Sequence, residues 1–199
     1  MADKCSWSRV AMVKVGFICE GKTERKIIES ERFQNYLSQI GIEGVKPVFD
    51  AKGAGNLLPA NLEKELNSLK AKGAQKVVIL TDLDEDACVT ITKNRITVDE
   101  DRVVVVAVKK IESWFLADSS TLSVLLKENF HFNNPEGENI PFDTLKGIFI
   151  NKQERGIGVK DIFSARMLKY GFSIQNAAEH PNCPSARYFL DKLKKIVDN

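Results

Sequence analysis

Acids fall where chemistry is possible at three places in this chain: Glu20, then Asp82, Asp84 and Asp86 at alternate positions, then Glu112. Alternate residues of an extended chain point the same way. Asp82 and Asp84 are therefore expected to aim their carboxylates at one point, just past the carboxyl end of a strand. Carboxylates gathered in one place repel each other unless something positive sits between them. Hard oxygen ligands suit Mg²⁺ or Mn²⁺, here on Asp82, Asp84 and Glu20. An acidic turn taken alone is more often simply solvated, so the second acid-ended segment, at Glu20, is what gives the pattern weight. Lys22, Arg25 and Lys26 follow Glu20 at the start of a helix, and a helix N-terminus favours anions. A metal that polarises a phosphoryl group, with a side chain that moves protons, is the combination phosphodiester cleavage needs.

The elements that must position these acids can be read in order. Met12 to Cys19 is an apolar strand ending in Glu20-Gly21-Lys22-Thr23-Glu24. Thr23 is a suitable helix N-cap and Glu24 suits a first turn. One helix is expected from there to about Gln39, with Phe33, Leu37 and Ile40 on one face. Val45 to Ala51 is a second strand, followed by the Gly-rich turn Lys52-Gly53-Ala54-Gly55-Asn56 and a helix from Pro59 to Lys72. Val77 to Leu80 is an unbroken apolar run, the pattern of a strand buried on both faces. Residues 87–101 suggest no element. Arg102 to Val108 is a further buried strand, leading into a short helix within 109–118.

Strands alternating with helices imply an α/β fold with a doubly wound, mainly parallel, Rossmann-like sheet. In such sheets, sites lie at the carboxyl edge. Glu20 and Asp82 end two of the strands, which are expected to be neighbours. Residues 1–118 are taken as the α/β core and 119–199 as a mostly helical C-terminal extension packed on it. Within the extension, helices are expected at Thr121 to Lys127, at Lys160 to Lys169, and after Ser185 as a cap.

The run Phe-Ile-Cys-Glu20-Gly21, followed by Thr-Asp82-Leu-Asp84-Glu-Asp86, resembles the TOPRIM domain of topoisomerases, DnaG-type primases and nucleases of the OLD and RNase M types. The resemblance covers about residues 12–110. It implies that Glu20 acts as general acid/base, that Asp82 and Asp84 hold Mg²⁺, and that Asp86 is a weaker third acid. Glu-Gly-Lys-Thr-Glu, Glu112-Ser-Trp114-Phe-Leu-Ala-Asp118 and Cys-Pro-Ser185-Ala-Arg187-Tyr-Phe-Leu are similar to an uncharacterised bacterial TOPRIM-like family related to the OLD nucleases. That similarity implies a phage-defence or mobile-element setting and, by analogy with the OLD nucleases, a separate ATPase partner. The chain is far shorter than a topoisomerase or primase and has no zinc-binding cysteine cluster.

Other residues carry less. Glu112 follows a strand end and is either a further site acid or a helix-surface residue. Trp114 is expected in the core rather than as a base-stacking platform. Arg187 and Lys160 could bind phosphate, although exposed basic residues are usually only solvated. His131 and His180 have no metal-ligand spacing.

Composition bounds the function. The 199 residues are 43% hydrophobic and 28% charged, as in ordinary globular proteins. A net charge of +2 gives no global basic field, so an anionic partner such as DNA or RNA must be met by a local patch. Four cysteines without a CxxC pair suggest reduced thiols and a cytoplasmic chain. No apolar run approaches a membrane span, and Lys14 interrupts the only candidate signal-peptide core. Two functions are open: a metal-dependent nuclease, or a non-catalytic module that binds a metal, a nucleotide or a partner protein.

Overall fold

The structure, a computed structural model, describes residues 12–96 and 101–198. Strands β1 (Val13–Cys19), β2 (Ile42–Asp50), β3 (Lys76–Asp82) and β4 (Arg102–Ala107) form a sheet in the order β2-β1-β3-β4, with every neighbouring pair parallel. Val15 to Cys19 and Val77 to Thr81 are buried throughout. Their unbroken apolar character follows from cover on both faces of the sheet.

Helices α3 (Pro59–Ala71) and α4 (Val89–Ile96) cover one face. There Leu62, Leu66, Leu69 and Ile96 pack with Ile18, Ile79, Val104 and Val106. The opposite face receives α1 (Lys22–Glu29), α2 (Glu31–Gln39) and α5 (Glu112–Ala117), then α6 (Ser119–Leu126), α7 (Pro141–Gln153), α8 (Lys160–Lys169), α9 (Ile174–Glu179) and α10 (Pro184–Asp198). The fold is thus α/β with a doubly wound parallel sheet and a helical C-terminal segment. That segment shares one hydrophobic core with the sheet: Phe189 of α10 stacks on Phe33 of α2 at 5.7 Å and on Trp114 of α5 at 5.8 Å. Among the described residues, no helix is long and apolar enough to cross a membrane.

The structure differs from the sequence reading in several elements. The single helix expected from Thr23 to Gln39 is two, because Ser30 is extended and its Oγ accepts from Phe33 N at 3.3 Å, capping α2. Gly21, not Thr23, is the N-cap position of α1, and Thr23 is buried in the first turn. Helix α4 occupies part of the unassigned stretch 87–101, of which 97–100 lie outside the described residues. Helices α7 and α9 have no counterpart in the sequence reading. Ser185 lies inside α10 rather than capping it. Its Oγ accepts from Trp114 Nε1 at 2.7 Å and donates to Glu136 at 2.6 Å.

Candidate functional site

The carboxyl ends of β1 and β3 are neighbours, and their register fixes the first two acids. Cys19 pairs with Leu80, so Glu20 and Thr81 emerge side by side. Glu20 Oε2 accepts from Thr81 Oγ1 at 2.6 Å and from Asp82 N at 3.1 Å. One strand end thereby orients the acid of the other. Asp82 Oδ1 in turn accepts from Ile111 N at 2.8 Å, which ties β3 to the turn entering α5. Glu112, the next residue, is 2% exposed and faces the same cleft. Of the two positions open to it, Glu112 takes the buried one in the cleft wall and not the helix surface.

A fourth acid arrives through α1. Glu24 lies in the first turn of α1, and α1 starts so tightly against β1 that Glu24 folds back over the strand end. A Cβ placed on Gly21 would stand 3.2 Å from Glu24 Oε2. Glu24 is 4% exposed. The sequence marks Glu24 only as a first-turn acid, because Glu20 lies outside α1 and no helical interval links the two. On the far wall, Gly53 closes the turn after β2. Its N donates to Glu20 O at 2.9 Å, and its φ of 122° is open to glycine and strained for other residues.

These walls border a cleft of about 350 Å³ lined by Glu20, Glu24, Asp82 and Glu112, by Asp161, and by Lys22 and Lys160. A roomier cleft of about 500 Å³ lies between α1, α2 and α8, but its two acids, Glu29 and Glu31, are exposed to solvent rather than buried. We therefore place the site in the smaller one.

Electrostatics sets the cleft apart. Burial pushes Asp82 well above the ordinary carboxylate range, and the charges of Glu24, Glu112, Glu20 and Asp84 push it further. Burial likewise raises Glu24 to about 7. Glu112 and Glu20 add to that rise, while its own backbone N–H and Lys160 oppose it. One cation enters the cluster directly: Lys160 Nζ stands 3.1 Å from Glu112 Oε1 and 3.2 Å from Oε2.

The other expected site residues are placed elsewhere. Strand β3 ends at Asp82, so the alternation that was to align Asp84 stops there. Asp84 has a φ of 47° in the following turn and pairs with Lys110 at 2.6 Å, and it does not line the cleft. Asp86 accepts from Thr92 Oγ1 at 2.8 Å and pairs with Arg95 at 3.0 Å, which ties the turn to α4. Of the three basic residues of α1, Lys22 lines the cleft, Arg25 pairs with Glu29 at 3.1 Å, and Lys26 pairs with Asp161 at 2.6 Å beside it. Arg187 is remote: its guanidinium donates to the carbonyls of Ala178 and His180 at the end of α9. His131 and His180 stack on each other 4.8 Å apart, and His180 is held between Phe132 O and Asn182 N.

The donor chemistry of the cleft, hard carboxylate oxygens under mutual repulsion, fits a hard divalent cation. Among the described residues, however, no group of three or more His, Cys, Asp or Glu side chains is already arranged to hold a metal ion. Backbone N–H groups engage one oxygen each of Glu20 and Asp82, and Lys160 spans both oxygens of Glu112. No known protein family, curated protein or solved structure matches the chain.

Proposed function

We propose that this protein is a divalent-cation-dependent phosphodiesterase acting on nucleic acid, with its site in the cleft at the carboxyl ends of β1 and β3. The observation that carries the reading is the convergence of Glu20, Glu24, Asp82 and Glu112 from three separate segments on one small cleft. Buried acids whose charges oppose one another lower stability unless a ligand repays the cost. The TOPRIM resemblance supports the same reading through Glu20 and Asp82, and the placement moves the remaining weight from Asp84 and Asp86 to Glu24 and Glu112. Asp82, Glu24 and Glu112 would hold Mg²⁺ or Mn²⁺, with Glu20 at their edge. Bound there, the cation would neutralise charge on a phosphoryl oxygen.

The chain's own groups supply the rest. Glu20 is oriented by Thr81 and the Asp82 N–H through Oε2 alone, which leaves Oε1 to exchange a proton with an attacking water or a leaving oxygen. Lys22 and the first turn of α1 face the cleft and favour a phosphate. A separate ATPase, as in OLD-type nucleases, is the partner this reading would predict.

The test is cleavage of single- and double-stranded DNA and RNA with Mg²⁺ or Mn²⁺. Glu20→Gln keeps shape and an acceptor oxygen but cannot carry a proton, so activity should fall by about 10²–10⁴-fold with Mn²⁺ binding retained. Asp82→Asn should lose both. Equal background from the wild type and Glu20→Gln on every substrate, with normal Mn²⁺ binding, would replace the nuclease with a metal-binding module.

A further inference from the structure

Lys160 is the residue whose placement the proposed chemistry does not yet use. It opens α8, far in sequence from Glu20, Glu24, Asp82 and Glu112, and its ammonium reaches both carboxylate oxygens of Glu112; its neighbour Asp161 also lines the cleft but pairs with Lys26. The two partners differ in freedom. The Glu112 side chain is 3% exposed, whereas that of Lys160 is 48% exposed. Glu112 is fixed in the wall of the cleft, and the lysine enters from solvent on a flexible four-carbon stem. The α8 backbone does not depend on this contact alone, because Asp161 is bound by Lys26 through its carboxylate at 2.6 Å and its carbonyl at 3.0 Å. A second resting place is close: the Phe142 ring lies 5.8 Å from the same ammonium, within the range of a cation–π contact.

We propose that Lys160 is the internal counter-ion of the acidic cleft, holding Glu112 in the metal-free protein and giving it up when a divalent cation binds. This rests on the metal-dependent reading above. A buried carboxylate is costly unless it is protonated or paired; burial favours the neutral form of Asp82 and Glu24, and Glu112 is paired with Lys160. An ammonium tethered to the edge of the cleft provides that pairing and prevents the empty site from unfolding its surroundings. Because ammonium and metal seek the same Glu112 oxygens, they compete. The wild type then binds the cation more weakly than the bare acid set would, and binding frees a lysine beside the place where a phosphate would lie.

Calorimetric titration of the full chain with Mn²⁺, alongside thermal melts, tests this. Lys160→Met keeps most of the apolar stem and removes the charge. Without metal it should melt several degrees below the wild type, and saturating Mn²⁺ should remove most of that difference. Its Mn²⁺ affinity should be about fivefold or more tighter than the wild type's, a difference of roughly 1 kcal/mol. Lys22→Met, which removes another charge from the same cleft without a carboxylate contact, should tighten binding less. Binding to Lys160→Met that is equal to or weaker than wild type, or no tighter than to Lys22→Met, overturns the proposal. If wild-type binding is normal and lost in Asp82→Asn, such a result leaves the metal site itself standing. If neither the wild type nor Lys160→Met binds Mn²⁺, the counter-ion proposal and the metal-dependent reading fall together. Should Lys160→Met not fold, the variant carrying Glu112→Gln as well should recover, because the unpaired charge has gone. Failure of that double variant to recover would assign Lys160 a purely structural role.

Discussion

Glu24 shows how a single side chain can link stability to pH. Its burial favours the neutral form, and the charges of Glu112 and Glu20 act in the same direction, against its own backbone N–H and Lys160. In the unfolded chain it titrates near 4.5, and in the fold near 7. Its contribution is therefore present in full below the unfolded value and is lost as pH rises through the folded one. Asp82, shifted the same way, adds to the loss. The metal-free protein should melt at progressively lower temperature between about pH 5 and pH 8. Glu24→Gln should flatten that decline and raise the melting temperature at pH 8, with a gain of at most about 3 kcal/mol. Melts in metal-free buffer across this range check it, and a Glu24→Gln profile parallel to the wild type would show that the site's repulsion is not felt at Glu24. The sequence disclosed Glu20 and Asp82 because strand ends can be seen as apolar runs that stop at an acid. It marked Glu24 only as a first-turn acid and left Glu112 open between site and helix surface, because what brings them in is how tightly α1 and α5 start against the sheet. It misplaced Asp84 because the strand ends two residues before it.

At the scale of elements, the joint between α5 and α10 holds the rear of the site. Trp114 lies two residues beyond Glu112 and is fully buried. Its indole N–H donates to Ser185 Oγ, which in turn donates a hydrogen bond to Glu136, while Val108 N donates to the same hydroxyl at 3.3 Å. One hydroxyl thus connects the end of β4, the helix carrying Glu112 and the last helix of the chain. Ser185→Ala leaves the buried indole N–H without its partner, while Glu136 keeps the bond from Ser185 N at 2.8 Å, and the loss costs about 1–3 kcal/mol. Chemical denaturation should show that loss with an unchanged slope, and a variant as stable as the wild type would mean that water replaces the hydroxyl. This joint was not legible in advance, since Ser185 has the local chemistry of a helix cap and only the packing of α10 decides otherwise. The strands were legible for the opposite reason: β1, β3 and β4 are buried on both faces, so pattern and environment coincide. Helix α7 escaped notice because its buried residues Phe142, Leu145 and Phe149 are spread among polar and exposed apolar neighbours, among them Ile150 at 52% exposure. Helix α9 is a six-residue helix, too short to show a period.

For the whole molecule, the question is whether the α/β segment bearing the acids is independent of the helices that follow it. The packing says that it is not. Phe17 and Leu80, at the centre of the two acid-ended strands, belong to the same apolar cluster as Leu145, Phe163, Phe189 and Leu193. Phe33 meets Phe17 edge-on at 6.1 Å and Phe189 face-on at 5.7 Å, so α10 completes a ring stack that starts on β1. Lys160, which meets Glu112, also comes from this C-terminal half. A fragment of residues 1–118 would therefore uncover much of the apolar core on one side of its sheet, where only α1, α2 and α5 remain, and lose a cation from its site. It should neither melt cooperatively nor bind Mn²⁺, and the complementary segment added in trans should restore both. Phe189→Ala in the full chain tests the same coupling more gently. It empties a fully buried site between two rings and should cost about 3–5 kcal/mol. Amide exchange should then accelerate in β1 and β3 as well as in α10, because elements sharing one core open together. Faster exchange confined to α10 would show instead that the strands and their acids form a unit stable without the C-terminal helices.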